Sequence, residues 1–212
     1  MLVDIDQKSL EDLNTEAGSW PWPRSVHAEI IHYIAAQKPQ AIVFDILFNE
    51  PDTFRPEQDQ ALRDAIAASN LIYLPYLRML DGNGMKLSEL PLSLGILPQA
   101  NANKDARATL LLPWVIQQEK WQGGIINFNS DQDGIGRKYL INTAHEGWLI
   151  PSMPARLARD FAWPPHNADL IRLNWQTNRT HISYSDVYFA ANREQNKRPR
   201  NEFSGKIVVI GT

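Results

Sequence analysis

Apolar residues recur along the chain in two periods. Val26, Ile30, Ile31 and Ile34 fall on one helical face, so the spacing predicts a helix over Val26–Gln37, stopped by Pro39. Its start has two readings: Pro23 suits a first helical turn, and Ser25 suits an N-cap. Leu62, Ala65, Ile66 and Ser69 mark a second helical face within Pro56–Ser69. Around these helices lie short apolar runs. LVDID (Leu2–Asp6), AIVFDILF (Ala41–Phe48) and LIYLPYL (Leu71–Leu77) read as strands. The second is almost unbroken, as expected for a strand covered on both faces. Pro75 places the third near an edge or its own end. Strands and helices alternate, with connections long enough for right-handed crossovers. The pattern predicts an α/β fold, an open and largely parallel sheet flanked by helices.

Beyond residue 80 the periods weaken. Asp81–Gly84 reads as a turn and Leu87–Gln122 as an irregular insertion. Gly124–Phe128 and Arg137–Asn142 read as an added hairpin, joined by the polar turn NSDQDGIG. Ser152–Phe161 reads as a helix, Leu170–Trp175 and His181–Tyr184 as strands, Ser185–Arg193 as a helix and Lys206–Ile210 as a strand. No repeat and no domain boundary stands out, so the 212 residues read as one domain, 1–212. The chain opens almost directly on a strand and stops on one, so both ends read as cuts in a longer chain. No run reaches the ~18 apolar residues of a transmembrane helix, and no signal-peptide pattern is present.

Composition narrows the function classes. A net charge of −3 provides no basic field for nucleic acid. Lys197, Arg198 and Arg200 read as a solvated loop. The absence of cysteine excludes disulfides, cysteine–zinc sites and thiol nucleophiles. There is no GxSxG elbow and no Walker loop. NSDQDG imitates the start of a calcium loop, but its twelfth position is Leu140 where an EF-hand needs glutamate. Glu29 and His32 lack the second Glu-x-x-His pair of a di-iron bundle. No metal and no cofactor are expected.

The chemistry gathers at the strand ends. Asp45 stands inside an apolar run, so its carboxylate is expected to be buried and paired with Arg24 or with backbone amides. Asp4 and Asp6 close the first strand, and Glu50 follows the second. Ligands of open parallel sheets bind at the carboxyl ends of strands, and the segment GSWPWPR follows the first strand on that side. Arg24 is then the nearest counter-charge. Trp20 and Trp22, alternating with prolines, are expected to point opposite ways, with Trp22 at the pocket. The candidate binding residues are Asp4, Asp6, Trp20, Trp22, Arg24, Asp45 and Glu50, with Asp133 and Arg137 approaching from the polar turn. Two rivals stand beside a binding domain. One is a metal-assisted hydrolase built on the acids. The other is a structural spacer or dimerisation module whose charges satisfy one another.

Taken in order, several stretches resemble one family: DID with Ser9, WPWPR with His27 and Ala28, FDILF with Glu50, Asp59 with Ala61–Leu62, DQDGIGRK, and FSGKIVVIGT. Together they are similar to the CHASE type-two domain, an extracytoplasmic sensor of bacterial signalling receptors, over Val3–Thr212. Leu87–Gln122 and Pro164–Asp169 depart from that pattern. The resemblance implies a periplasmic or extracellular domain held between membrane helices of an inner-membrane protein. It implies cytoplasmic cyclases or kinases as output and no catalysis by the domain itself. It implies no particular ligand, and the expected partner is an unidentified small molecule or environmental stimulus. A homodimer is a further expected partner, and nucleic acid is not one.

Overall fold

The computed structural model describes residues 1–80, 84–164, 168–175 and 181–211. The expected Asp81–Gly84 turn lies, through residues 81–83, outside the described residues. The chain divides into two compact units, Met1–Tyr73 with Trp114–Lys120 and Arg179–Thr212, and Leu74–Pro113 with Trp121–Asn178.

The first unit carries parallel strands in the spatial order His181–Ser183, Leu2–Asp4, Ile207–Gly211, Ala41–Phe44 and Ile72–Tyr73, the last two residues opening a strand that runs to Met79. The final strand of the chain thus lies between the first two, with Leu2 opposite Val209 and Ile207 opposite Ala41. Ala41–Phe44 is buried throughout, as an unbroken apolar run requires of a strand covered on both faces. That strand is shorter than the apolar run. It ends at Phe44, and Asp45–Phe48 leaves it.

The helical face read from the sequence is present. Helix Arg24–Ala35 buries Val26, Ile30, Ile31 and Ile34 against helices Pro56–Ala67 and Tyr184–Asn192 and the adjacent strand. Each such side chain contributes roughly 1.5–3 kcal/mol of burial. Its N-cap is Pro23, without a side-chain cap, so neither reading of the start holds. A helix not expected from the sequence, Gln7–Ala17, follows the first strand. Asp6 caps it, with Oδ1 accepting from Ser9 N at 2.8 Å and from Ser9 Oγ at 2.6 Å. Ser183 Oγ donates to the other Asp6 oxygen at 2.5 Å, tying the cap to the neighbouring strand. Burial raises the Asp6 pKa, but the bonds from Ser183 and Ser9 outweigh it and hold the carboxyl below its ordinary value. Replacing Asp6 with alanine is expected to cost about 1–2 kcal/mol, read as a lower urea midpoint at constant m-value.

The second unit is mixed. The strand ending at Met79 pairs in parallel with Gly123–Ile125 through Leu74–Tyr76. It pairs antiparallel with Arg107–Leu111 through Leu77–Met79. Arg107–Leu111 also takes Met85–Lys86. Pro75 sits within the strand, opposite Gly124, rather than at its end. Gly123 has no alternative residue, since a Cβ there would stand 1.8 Å from the Leu74 carbonyl oxygen.

The expected hairpin exists at another place. Asn142–His145 and Trp148–Pro151 form it, turning through Glu146 and Gly147 at φ 47° and 79°. Gly124–Phe128 and Arg137–Asn142 do not pair with each other. Gly123–Ile125 joins the parallel strands, and Lys138–Leu140 pairs with Leu170–Arg172. Ser152 caps helix Met153–Asp160. The class is α/β as read from the sequence: largely parallel strands flanked by helices, with added antiparallel pairs.

Candidate functional site

Register brings the carboxyl ends of three strands together. Asp4 lies opposite Gly211, and Asp45 N donates to the Ile210 carbonyl at 2.8 Å. Gly211 separates the two acids, and a Cβ on it would stand 2.9 Å from Asp45 Cβ. Asp45 is exposed, which corrects the expectation of a buried, paired carboxylate. The apolar run misled because the chain leaves the sheet at Phe44, so the carboxylate gains water and needs no counter-charge. Asp4 is partly buried, with its Oδ2 3.9 Å from His181 Nε2. Asp6 belongs to the helix cap already described.

Arg24 has a different partner from the one expected. As the first residue of its helix it reaches the Pro56–Ala67 helix, where Nη1 donates to Asp59 Oδ1. Its Nη2 donates to the Glu50 carbonyl oxygen. Asp59 Oδ2 in turn accepts from Asp52 N at 2.9 Å, and Ser25 N donates to Gln58 Oε1 at 3.2 Å. The result is a latch joining two helices and the loop between strand and helix. Glu50 contributes its backbone, while its side chain is exposed. Asp59 is 2% exposed and is the latch residue that sequence reasoning missed. Its signal was present, because Asp59 stands three residues before Leu62 and extends the inward helical face by one turn. With Arg24 bound to Asp59, the carboxylate of Asp45 is left to solvent. Such a rim favours cations or N–H donors over anions.

The two tryptophans diverge as expected, but in the opposite sense. Trp22 is the buried one at 3% exposure, and Trp20 is 39% exposed. Their rings meet edge to face at 4.9 Å. Trp22 lies against Tyr184 at 5.1 Å, and its Nε1 is buried without a hydrogen-bond partner. Trp20 meets His27 edge to face, and His27 meets Phe44, the residue before Asp45, in the same way.

Asp133 and Arg137 belong to the second unit and pair with each other. Arg137 donates from both terminal nitrogens to the two Asp133 oxygens at 2.8 Å, and from Nη1 to Asp131 Oδ2 at 3.2 Å. Arg137 holds the Asp133 carboxyl below its ordinary value. Both aspartates of the calcium-like turn are therefore taken by a guanidinium. A cavity of about 260 Å³ adjoins this turn, lined by Phe128, Tyr139, Leu140 and Leu170 with Asp131 and Lys138. Among the described residues no three acidic or histidine side chains come together as a metal site.

The CHASE2 domain model matches residues 1–212, the whole chain. This chain belongs to the CHASE2 domain family. That family is one of extracytoplasmic sensory domains acting in signal transduction. No curated protein and no solved structure matches the chain.

In this CHASE2 domain the stretch WPWPR has two structural tasks. It sends Trp22 into the core and Arg24 into the latch, leaving Trp20 at the surface. His27, next along the helix, is buried at 2% exposure, and its Nδ1 lies 2.8 Å from the Tyr184 hydroxyl. Phe44, Phe48, Trp20 and Tyr184 surround the imidazole. Burial, with the Arg24 charge adding to it, pushes the His27 pKa down to about 3. Burial raises the Tyr184 pKa well above its ordinary value. The pair is thus a hydrogen bond between two neutral groups in the core of the CHASE2 domain.

Proposed function

We propose that the chain is the stimulus-reading domain of a bacterial membrane receptor. Helices in flanking sequence anchor it to the inner membrane, and a cyclase or histidine kinase lies beyond. No helix among the described residues is long and apolar enough to cross a membrane. The stimulus, a small molecule or an environmental cue, acts at the carboxyl ends of the parallel strands, around Trp20, Asp4 and Asp45. The observation that carries this reading is the latch. Arg24, Asp59 and the Glu50 backbone fix the loop after the strand, so an exposed indole and an exposed carboxylate stand on a rigid frame. A ligand that prefers one of two conformations of the domain shifts the population toward it, and a homodimer carries that shift to the membrane.

The chain has no cysteine, which makes the placement directly testable. Phe54 and Leu92 are 94% and 86% exposed, one in each unit. In a full-length receptor with no other cysteine, Phe54→Cys and Leu92→Cys should each react with a membrane-impermeant maleimide in spheroplasts, before lysis. Reaction only after lysis would place the domain in the cytoplasm and end this reading.

A further inference from the structure

We propose that Arg78, Arg107 and Thr109, in the second unit, form a binding site for a small oxyanion of the phosphate or sulfate class. This site is separate from the strand-end residues and does not depend on their role. Arg78 Nη2 lies 2.9 Å from His145 Nδ1. A guanidinium can only donate, so Nδ1 carries no proton. His145 Nε2 lies 2.7 Å from the Arg107 carbonyl oxygen, which can only accept. Nε2 therefore carries the proton, and the imidazole is neutral. It orients Arg78 without balancing its charge.

Arg107 is held in the same manner. Its Nη1 donates to the Gly84 carbonyl at 2.8 Å, again a neutral acceptor. Among the described residues no carboxylate pairs with either arginine, whereas Arg24, Arg137, Arg156 and Arg198 each pair with one. The nearby acids have partners of their own. Asp105 accepts from Lys86 Nζ at 2.8 Å, and Glu146 accepts from Asn103 Nδ2 at 2.5 Å while its other oxygen lies 3.7 Å from His145 Nε2.

Both guanidinium groups line one cup, with Thr109, His145 and Ala108, of about 160 Å³. That is room for several waters or one small anion. Most guanidinium N–H donors of the two arginines have no partner among the described residues, and each fork matches two oxygens of a tetrahedral anion. Among the described residues no acidic side chain lines the cup, so an anion there meets two guanidinium charges. A carboxylate presents two oxygens where phosphate and sulfate present four, so it should bind more weakly.

Calorimetric titration of the chain with inorganic phosphate, with sulfate and with acetate tests this. Phosphate or sulfate should bind one to one, with a Kd of about 1 mM or tighter, and acetate more weakly. Arg107→Met, at an exposed side chain whose loss leaves the fold intact, should weaken binding at least about tenfold. Arg63→Met, a guanidinium of the first unit, should leave it unchanged. Nitrogen NMR should show His145 as the Nε2–H tautomer, with both ring nitrogens shifting as phosphate is added. Failure of all three anions to bind would overturn the proposal. So would binding that survives Arg107→Met, or binding that leaves the His145 nitrogens unmoved.

Discussion

Replacing Asp59 with alanine is expected to destabilise the protein by about 3–5 kcal/mol. The side chain of Asp59 is 3% exposed and that of Arg24 is 18% exposed, so removing the carboxylate leaves a guanidinium with little water to replace it. The same change removes the acceptor for Asp52 N, at 2.9 Å, and frees the loop that the latch holds. Breaking one partner of a buried pair costs more than the pair contributes, because the remaining charge stays desolvated. A double-mutant cycle separates the two effects. Arg24→Met removes the stranded charge, so the double variant should be more stable than Asp59→Ala alone. Urea denaturation of the four proteins measures this. An Asp59→Ala midpoint equal to that of the parent would contradict the latch.

Acidification should unfold the protein through His27. Its folded pKa is about 3 and its unfolded value is 6.5, so between those values the unfolded chain binds a proton that the folded chain does not. The contribution is fully present above pH 6.5 and is lost as pH falls toward 3. One pH unit in that window is worth about 1.4 kcal/mol, giving a loss of about 3 kcal/mol between pH 7 and pH 4. Carboxylates also titrate in this range, so the decisive quantity is a difference. His27→Leu should be less stable than the parent at pH 7, since the Tyr184 hydroxyl loses its partner, yet its stability should fall much less between pH 7 and pH 4. Parallel pH profiles for the two proteins would show that His27 is already charged in the folded state.

Local periodicity made the first helices and strands legible. Val26, Ile30, Ile31 and Ile34 needed only a 3.6-residue period, and Ala41–Phe44 only an apolar run. Helix Gln7–Ala17 was missed although Leu10, Leu13 and Ala17 stand at helical spacing, because that stripe is narrow and only Leu13 of it is buried. Its cap was visible as Asp6 followed by Ser9, but the three apolar positions lie among eight polar ones. The arrangement of strands was beyond local reading, since Leu2 meets Val209 across almost the whole chain.

Asp45 shows the limit of reading burial from neighbours. A carboxylate among apolar residues marks either a buried pair or the point where the chain leaves the sheet, and here it marks the latter. Arg24 and Asp59 were each conspicuous, yet their pairing rests on where two helices meet, which neither periodicity nor spacing encodes. The same holds for Arg78, Arg107 and His145, which hydrogen bonds alone assemble.

The proposed sensor reads its stimulus beside Trp20 and Asp45 and reports it across the membrane. The most direct measurement is the cytoplasmic output of the full-length receptor against stimulus dose, for Trp20→Ala and Asp45→Asn. Asp45 is exposed, so Asp45→Asn should lose less than about 1 kcal/mol of stability, whereas Trp20 packs against Trp22 and His27, so Trp20→Ala should lose about 2 kcal/mol and is assayed below its unfolding transition. The dose giving half-maximal output should nevertheless rise at least about tenfold, a loss of about 1.4 kcal/mol in stimulus binding. Parent-like dose curves for both variants, each measured in its folded state, would contradict this reading and leave WPWPR a structural segment alone.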